Sequence, residues 1–232
     1  MIIYFLFILI IGVAYYFIKE QNKFNHNSEL VQIQDPNKSI ISEKIIERNP
    51  LLIHNLNSEE LSNVSIKYLI ENNPGYIIND NGKYISLDAF NNDENKLYVF
   101  DNNKMIKDFN LLDPISKIND IFKNDLSCNF NYSLNLLKGD HRISLQKNKH
   151  NYLLLTQLYG ESIIYLINPK HNDIHTRSFD ESKKWAYKIN LRKGVSLYIP
   201  SEWYFMYEIK KESIMISSYC DNYFTFLYNY LR

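Results

Sequence analysis

Few residues in this chain could do chemistry, and most of them sit in two places. His171-Asn172-Asp173 is a literal H-x-D, with His175 two residues on. Those three imidazole and carboxylate donors could together bind a divalent cation, a solvated polar loop being the plainer expectation. His141 and His150 flank a second stretch, Gln146-Lys147-Asn148, and are possible substitute ligands if a further donor reaches them from another strand. The two cysteines, Cys128 and Cys220, lie far apart and form no C-x-x-C pair, so neither a disulfide framework nor a zinc site is expected. Two partly buried free thiols are the simpler expectation. No phosphate loop, dinucleotide fingerprint, G-x-S-x-G or H-E-x-x-H occurs, and only six glycines are available for phosphate cradles. Tyr152, Tyr187, Trp203, Tyr204, Phe205 and Tyr207 form a dense aromatic set. Tyr152, Trp203 and Tyr204 could line a ligand pocket, whereas inward-facing strand core is the plainer expectation for the whole set.

The elements that must position these residues follow from pattern. In 232 residues, 26 basic side chains balance 26 acidic ones, so no excess cation calls for nucleic acid. Ile2 to Ile18 carries no charge. At about 1.5 Å per residue that run reaches roughly 26 Å, the lower edge of what crosses a bilayer's hydrocarbon. It has no basic leader and no small residues before a cut, which predicts a retained single-pass anchor (residues 1–19) rather than a signal peptide. Lys19 and Lys23 favour a cytosolic domain beyond it. Residues 20–38 are polar and read as a linker. Helices are predicted from Ser39 to Asn49-Pro50 and after the cap Ser65. Leu51–Ile53 and Tyr76–Ile78 open a series of short apolar runs separated by polar turns. Tyr84–Leu87, Leu97–Phe100, Ser133–Leu137, Tyr152–Gln157, Ile163–Ile167, Val195–Ile199 and Ser213–Tyr219 continue it, as in a sandwich or barrel. Asp221 is expected to cap a final aromatic helix. The Asn-, Ile-, Lys- and Tyr-rich composition suggests an A+T-rich genome, as in some large DNA viruses.

Taken in order, several segments resemble the cupin-like JmjC family of iron and 2-oxoglutarate dioxygenases, over roughly residues 43–222. NPLLIHNL and SIKYLIEN resemble the family's first strand and next helix. KLYVFDNN resembles its Y-x-x-D strand, placing Tyr98 and Asp101. LNLLKGDHRISLQKN is similar to the approach to its H-x-D motif. YLLLTQLYGESIIYLINP is similar to the strand pair that follows, with Gln157, Gly160 and Pro169 in family-like places. KGVSLYIPSEWYF resembles the closing G-D-x-L-x-I-P-x-G-W-W-H.

The resemblance implies a mainly β (α+β) domain over residues 39–232: a double-stranded β-helix of jelly-roll or cupin type, with N-terminal helices and a C-terminal helix. It also implies where Fe(II) would be held, by two His and one carboxylate. Those positions here are Gln146, Asn148 and Phe205; a register without insertion would substitute Lys147 and Lys149. The oxoacid-binding Lys position is Glu161 or Ser162, and His171–His175 falls in a surface loop. The resemblance therefore implies a pseudoenzyme with no catalytic residue, metal or cofactor, acting as a binding or scaffolding protein. The membrane is engaged through Ile2–Ile18, and a protein partner or a homodimer through the aromatic C-terminal segment. A viral or virion membrane is one setting. The alternative is a hydroxylase that uses Fe(II) and 2-oxoglutarate with non-standard ligands.

Overall fold

The computed structural model describes residues 2–21, 28–56, 59–80, 83–92, 98–171 and 173–231. Leu97 and Asn172 lie outside them.

The first half is mixed. Helix α1 (Ile2–Gln21) is followed by strand β1 (Val31–Ile33), helix α2 (Lys38–Ile46) and strand β2 (Leu51–His54). Short helices α3 (Glu59–Ser62) and α4 (Ile66–Asn72) lead to a hairpin of β3 (Ile77–Asp80) and β4 (Lys83–Ser86). Helix α5 (Leu87–Asn92), strand β5 (Tyr98–Asn102) and helices α6 (Asn103–Asp108) and α7 (Leu112–Asn119) complete it. The second half is nearly all strand: β6 (Ser127–Leu137), β7 (His141–Lys147), β8 (Tyr152–Ile167), β9 (Ala186–Arg192), β10 (Val195–Pro200), β11 (Tyr204–Ile209) and β12 (Ser213–Asn222). Helix α8 (Phe179–Ser182) interrupts it and α9 (Tyr223–Leu231) ends it.

Strand order defines the architecture. One sheet runs β1-β2-β10-β8-β12-β6-β5, and the other runs β7-β11-β8-β9. All pairings are antiparallel except β1 with β2. β8 belongs to both sheets: Tyr152–Gly160 pairs with β10 and β12, and Glu161–Ile167 pairs with β9 and β11. The bend falls at Gly160, whose φ of +68° is a left-handed value that side chains avoid. A Cβ there would lie 2.0 Å from the Glu212 carbonyl oxygen. The two four-stranded layers β6-β12-β8-β10 and β7-β11-β8-β9 form a jelly roll, a cupin-like fold of the β-sandwich class.

Alternation along each strand sorts the apolar residues. Leu153, Leu155, Ile164, Leu166, Leu197, Ile199, Phe205, Tyr207 and Met215 meet between the sheets. Tyr152, Leu154 and Tyr198 point outward from the first sheet into a core roofed by α6, α7 and the other helices of the first half. Tyr165, Ile167, Tyr204 and Met206 point outward from the second sheet, under the segment that carries Ile174 and Phe179. Because both faces of each sheet are covered, the strands read as almost unbroken apolar runs.

Several expectations are corrected. Residues 20–38 are not linker throughout: Ser28 is buried and Val31–Ile33 pairs in register with Leu51–Ile53. α2 begins at Lys38, one residue before the expected start at Ser39, and Asn37 caps it, its side chain accepting from the Ile40 amide at 2.9 Å. Asp221 lies within β12, and the strand's last residue, Asn222, caps α9 by accepting from the Phe224 and Thr225 amides at 3.0 and 2.8 Å. In α1 the described side chains run from Ile3 to Tyr16, with Lys19. Among the described residues no helix is long and apolar enough to cross a membrane.

Candidate functional site

The jelly-roll interior near the end of β7 and the start of β11 is where the resemblance places a metal. Phe205 on β11 stands directly opposite Gln146 on β7. Residues facing each other across an antiparallel pair share a face, and Phe205 lies in the core between the sheets. Gln146 therefore points toward the same interior. Phe205 stacks on Tyr207 with centroids 5.5 Å apart, and Trp203 is buried in the same cluster. Phenyl, phenol and indole are packed together, buried, in this part of the core.

Asn148 is held elsewhere. Its side-chain amide donates to the carbonyls of Ile199 and Pro200 at 2.9 and 3.0 Å, and its side-chain oxygen accepts from the His150 amide at 3.1 Å. Its backbone bonds Trp203 and Glu202. Asn148 is thus a clamp between the β7–β8 connection and the β10–β11 turn. A carboxylate at this position would face two carbonyl oxygens and meet repulsion from both.

The oxoacid position fits no better. Ser162 is buried at the β8 corner, where its hydroxyl bonds Gln157 and Ser213, each at 2.9 Å. Among the described residues the partners of the Ser162 hydroxyl are neutral, with no cation to meet a carboxylate, and Glu161 carries the wrong sign. The residues present do not fit Fe(II) or 2-oxoglutarate.

The proposed pocket residues are not neighbours. Tyr152 sits in the helix-roofed core, Trp203 between the sheets and Tyr204 on the outer face of the second sheet. Trp203 and Tyr204 are adjacent in a strand-like segment, so their side chains leave on opposite faces. The three do not wall one cavity. Burial pushes the Tyr152 phenol far up, and its hydroxyl lies 3.5 Å from the Asn119 side chain.

The histidines also stay apart. The His171 ring packs tilted against Trp185 with centroids 4.9 Å apart, Asp173 pairs with Arg177, and His175 Nε2 meets the Tyr204 hydroxyl at 2.8 Å. Burial and nearby Lys170 hold His171 below its ordinary pKa. This loop borders an open surface cleft of about 370 Å³ lined by residues that include Lys170, His171, Lys184, Trp185 and Tyr187. His141 bonds the Lys138 carbonyl at 2.8 Å near the start of β7, whereas His150 lies beyond its end. Among the described residues no group of three His, Cys, Asp or Glu could hold a metal.

One polar cluster had no signal in the sequence. His150 Nδ1 lies 3.1 Å from both carboxylate oxygens of buried Asp221, which also accept from Asn129 and Asn229. The partners are up to 92 residues apart, so no local spacing announces them. The cluster ties the β7–β8 connection to β6, β12 and α9.

No protein family and no curated protein matches the chain. Solved structures similar to it include a cupin superfamily protein from Desulfitobacterium hafniense DCB-2. That protein is 16% identical, with a TM-score of 0.31 over 43% of this chain and 72% of the other. At that score the fold rests on the strand order described above.

Proposed function

We propose that this chain is a membrane-held, catalytically inactive jelly roll of the JmjC-like type that works by binding or scaffolding another protein. The observation that carries this reading is the pairing of Phe205 with Gln146 inside an apolar core, with Asn148 turned onto backbone carbonyls. Facial iron chemistry needs imidazole and carboxylate donors converging on one point with open positions beside them. An aromatic core offers neither donors nor room. The uncharged run Ile2–Ile18 supports lipid as the holding surface, because exposing apolar side chains to water is unfavourable and transfer into lipid relieves that cost. The test is incubation of the detergent-purified full chain with Fe(II), ascorbate and 2-oxoglutarate in air-saturated buffer, where O2 is the oxidant that succinate formation requires, followed by assay for succinate. No turnover above a protein-free control is expected; enzyme-dependent succinate would support a hydroxylase with other ligands and overturn the proposal.

A further inference from the structure

The exposed large apolar side chains are concentrated on two touching helices. α1 exposes Ile3, Phe5, Ile8 and their neighbours on every side, and α9 runs beside it. α9 is turned inside out relative to an ordinary surface helix. Its polar residues face the barrel: Thr225 is buried, and Asn229 donates to the Lys149 carbonyl at 3.2 Å and to Asp221 at 3.4 Å. Five of its aromatic and aliphatic residues face outward, with Tyr230 79%, Tyr223 60% and Leu227 48% exposed. A helix facing water shows the opposite arrangement.

The chemistry of that outward face selects its occupant. It carries no charge, and three of its exposed side chains are tyrosines, which settle at the boundary between headgroups and acyl chains. It continues α1, which is apolar all round, a shape that acyl chains surround and a single protein groove does not. Exposed Lys149 beside α9 and Lys19 at the end of α1 add positive charge at the rim, complementary to anionic headgroups.

We infer that α9 is a second lipid contact, lying in the headgroup region beside α1 and setting the barrel's orientation on the bilayer. The inference rests on the reading of α1 as lipid-embedded. It brings the end of the barrel that carries the β7–β8 connection nearest the membrane, because His150 and Lys149 are bonded to Asp221 and α9. The far ends of β11 and β12, near Lys211, stand about 30 Å away, at roughly 3.3 Å per strand residue.

The test uses the full chain with Cys128→Ser, labelled with an environment-sensitive fluorophore at Leu227→Cys or, separately, at Lys211→Cys. Each is mixed with vesicles of phosphatidylcholine containing a minority of phosphatidylglycerol, with and without spin-labelled lipid. The inference expects both proteins to float with the vesicles, quenching by spin-labelled lipid at 227, and none at 211. Flotation with an unquenched label at 227 overturns the inference and leaves the α1 reading standing, whether that label reports water or a second copy of the chain. Failure to float overturns both.

Discussion

At the scale of single residues, position 148 separates a relic metal ligand from a structural clamp. Asn148→Asp would set a buried carboxylate against the Ile199 and Pro200 carbonyls, now bonded by the amide. We expect a loss of about 2–4 kcal/mol in denaturant unfolding and no gain of Co(II) binding; an unchanged midpoint with new cobalt absorption would show that the side chain faces a metal site. Glu208 offers a pH test. Burial pushes its carboxyl up, but the Tyr165 hydroxyl at 2.8 Å, Lys183 at 3.2 Å and the charge of Arg142 outweigh this and hold it below its ordinary 4.5. A carboxyl depressed in the folded state contributes stability above its unfolded pKa, and that contribution is lost as pH falls through the folded value. Wild type should therefore exceed Glu208→Gln in stability at neutral pH, and the gap should close below about pH 4. A gap that stays constant through that range would mean the ion pairs do not act on folding. The thiols differ as well: Cys220 is buried, which raises its pKa to about 11, whereas Cys128 is only partly buried, and burial and Asp221 raise it too. In native protein an alkylating reagent should modify Cys128 first and reach Cys220 only on unfolding. Equal rates would show that the β12 end opens freely.

At the scale of elements, the bend in β8 is the most demanding feature. Gly160→Ala would place a methyl against the Glu212 carbonyl at a positive φ. We expect a cost of about 2–4 kcal/mol by chemical denaturation; a change within the error of the measurement would mean that the corner relaxes easily. The same bend explains what the sequence conceals. Tyr152–Gln157 and Ile163–Ile167 read as two strands because Gly160-Glu161 looks like a turn, yet the backbone continues through it as one strand in two sheets. Residues 31–33 were hidden because a three-residue strand in a polar tract has no period to detect, and only pairing with Leu51–Ile53 defines it. α7 was missed because Pro114 looks like a break, although proline is tolerated in a first helical turn. Ser65, by contrast, was legible as a cap because its side chain accepts from the Tyr68 amide, a purely local bond. For the candidate site, the residue types at 146, 148 and 205 were legible, but not the direction in which Asn148 points. That direction depends on carbonyls 51 and 52 residues away. The supposed grouping of Tyr152, Trp203 and Tyr204 failed because it ignored strand parity.

At the scale of the whole molecule, the jelly roll is filled rather than hollow. Its two layers close on an apolar core that includes Leu153, Leu166, Phe205 and Tyr207, and its outer faces are roofed by helices on one side and by residues 174–186 on the other. Among the described residues, α1 and α9 carry much of the exposed apolar surface, and a cleft opens around Trp185. This packing supports the proposed reading that the molecule works through its surfaces rather than through a metal centre. That claim is tested most directly by anaerobic equilibrium dialysis of the folded full chain in detergent against Fe(II), with metal content measured per chain. The account predicts iron no higher than in a denatured control. One tightly held equivalent per chain would contradict it, because Gln146, Asn148 and Phe205 have no means of holding that ion.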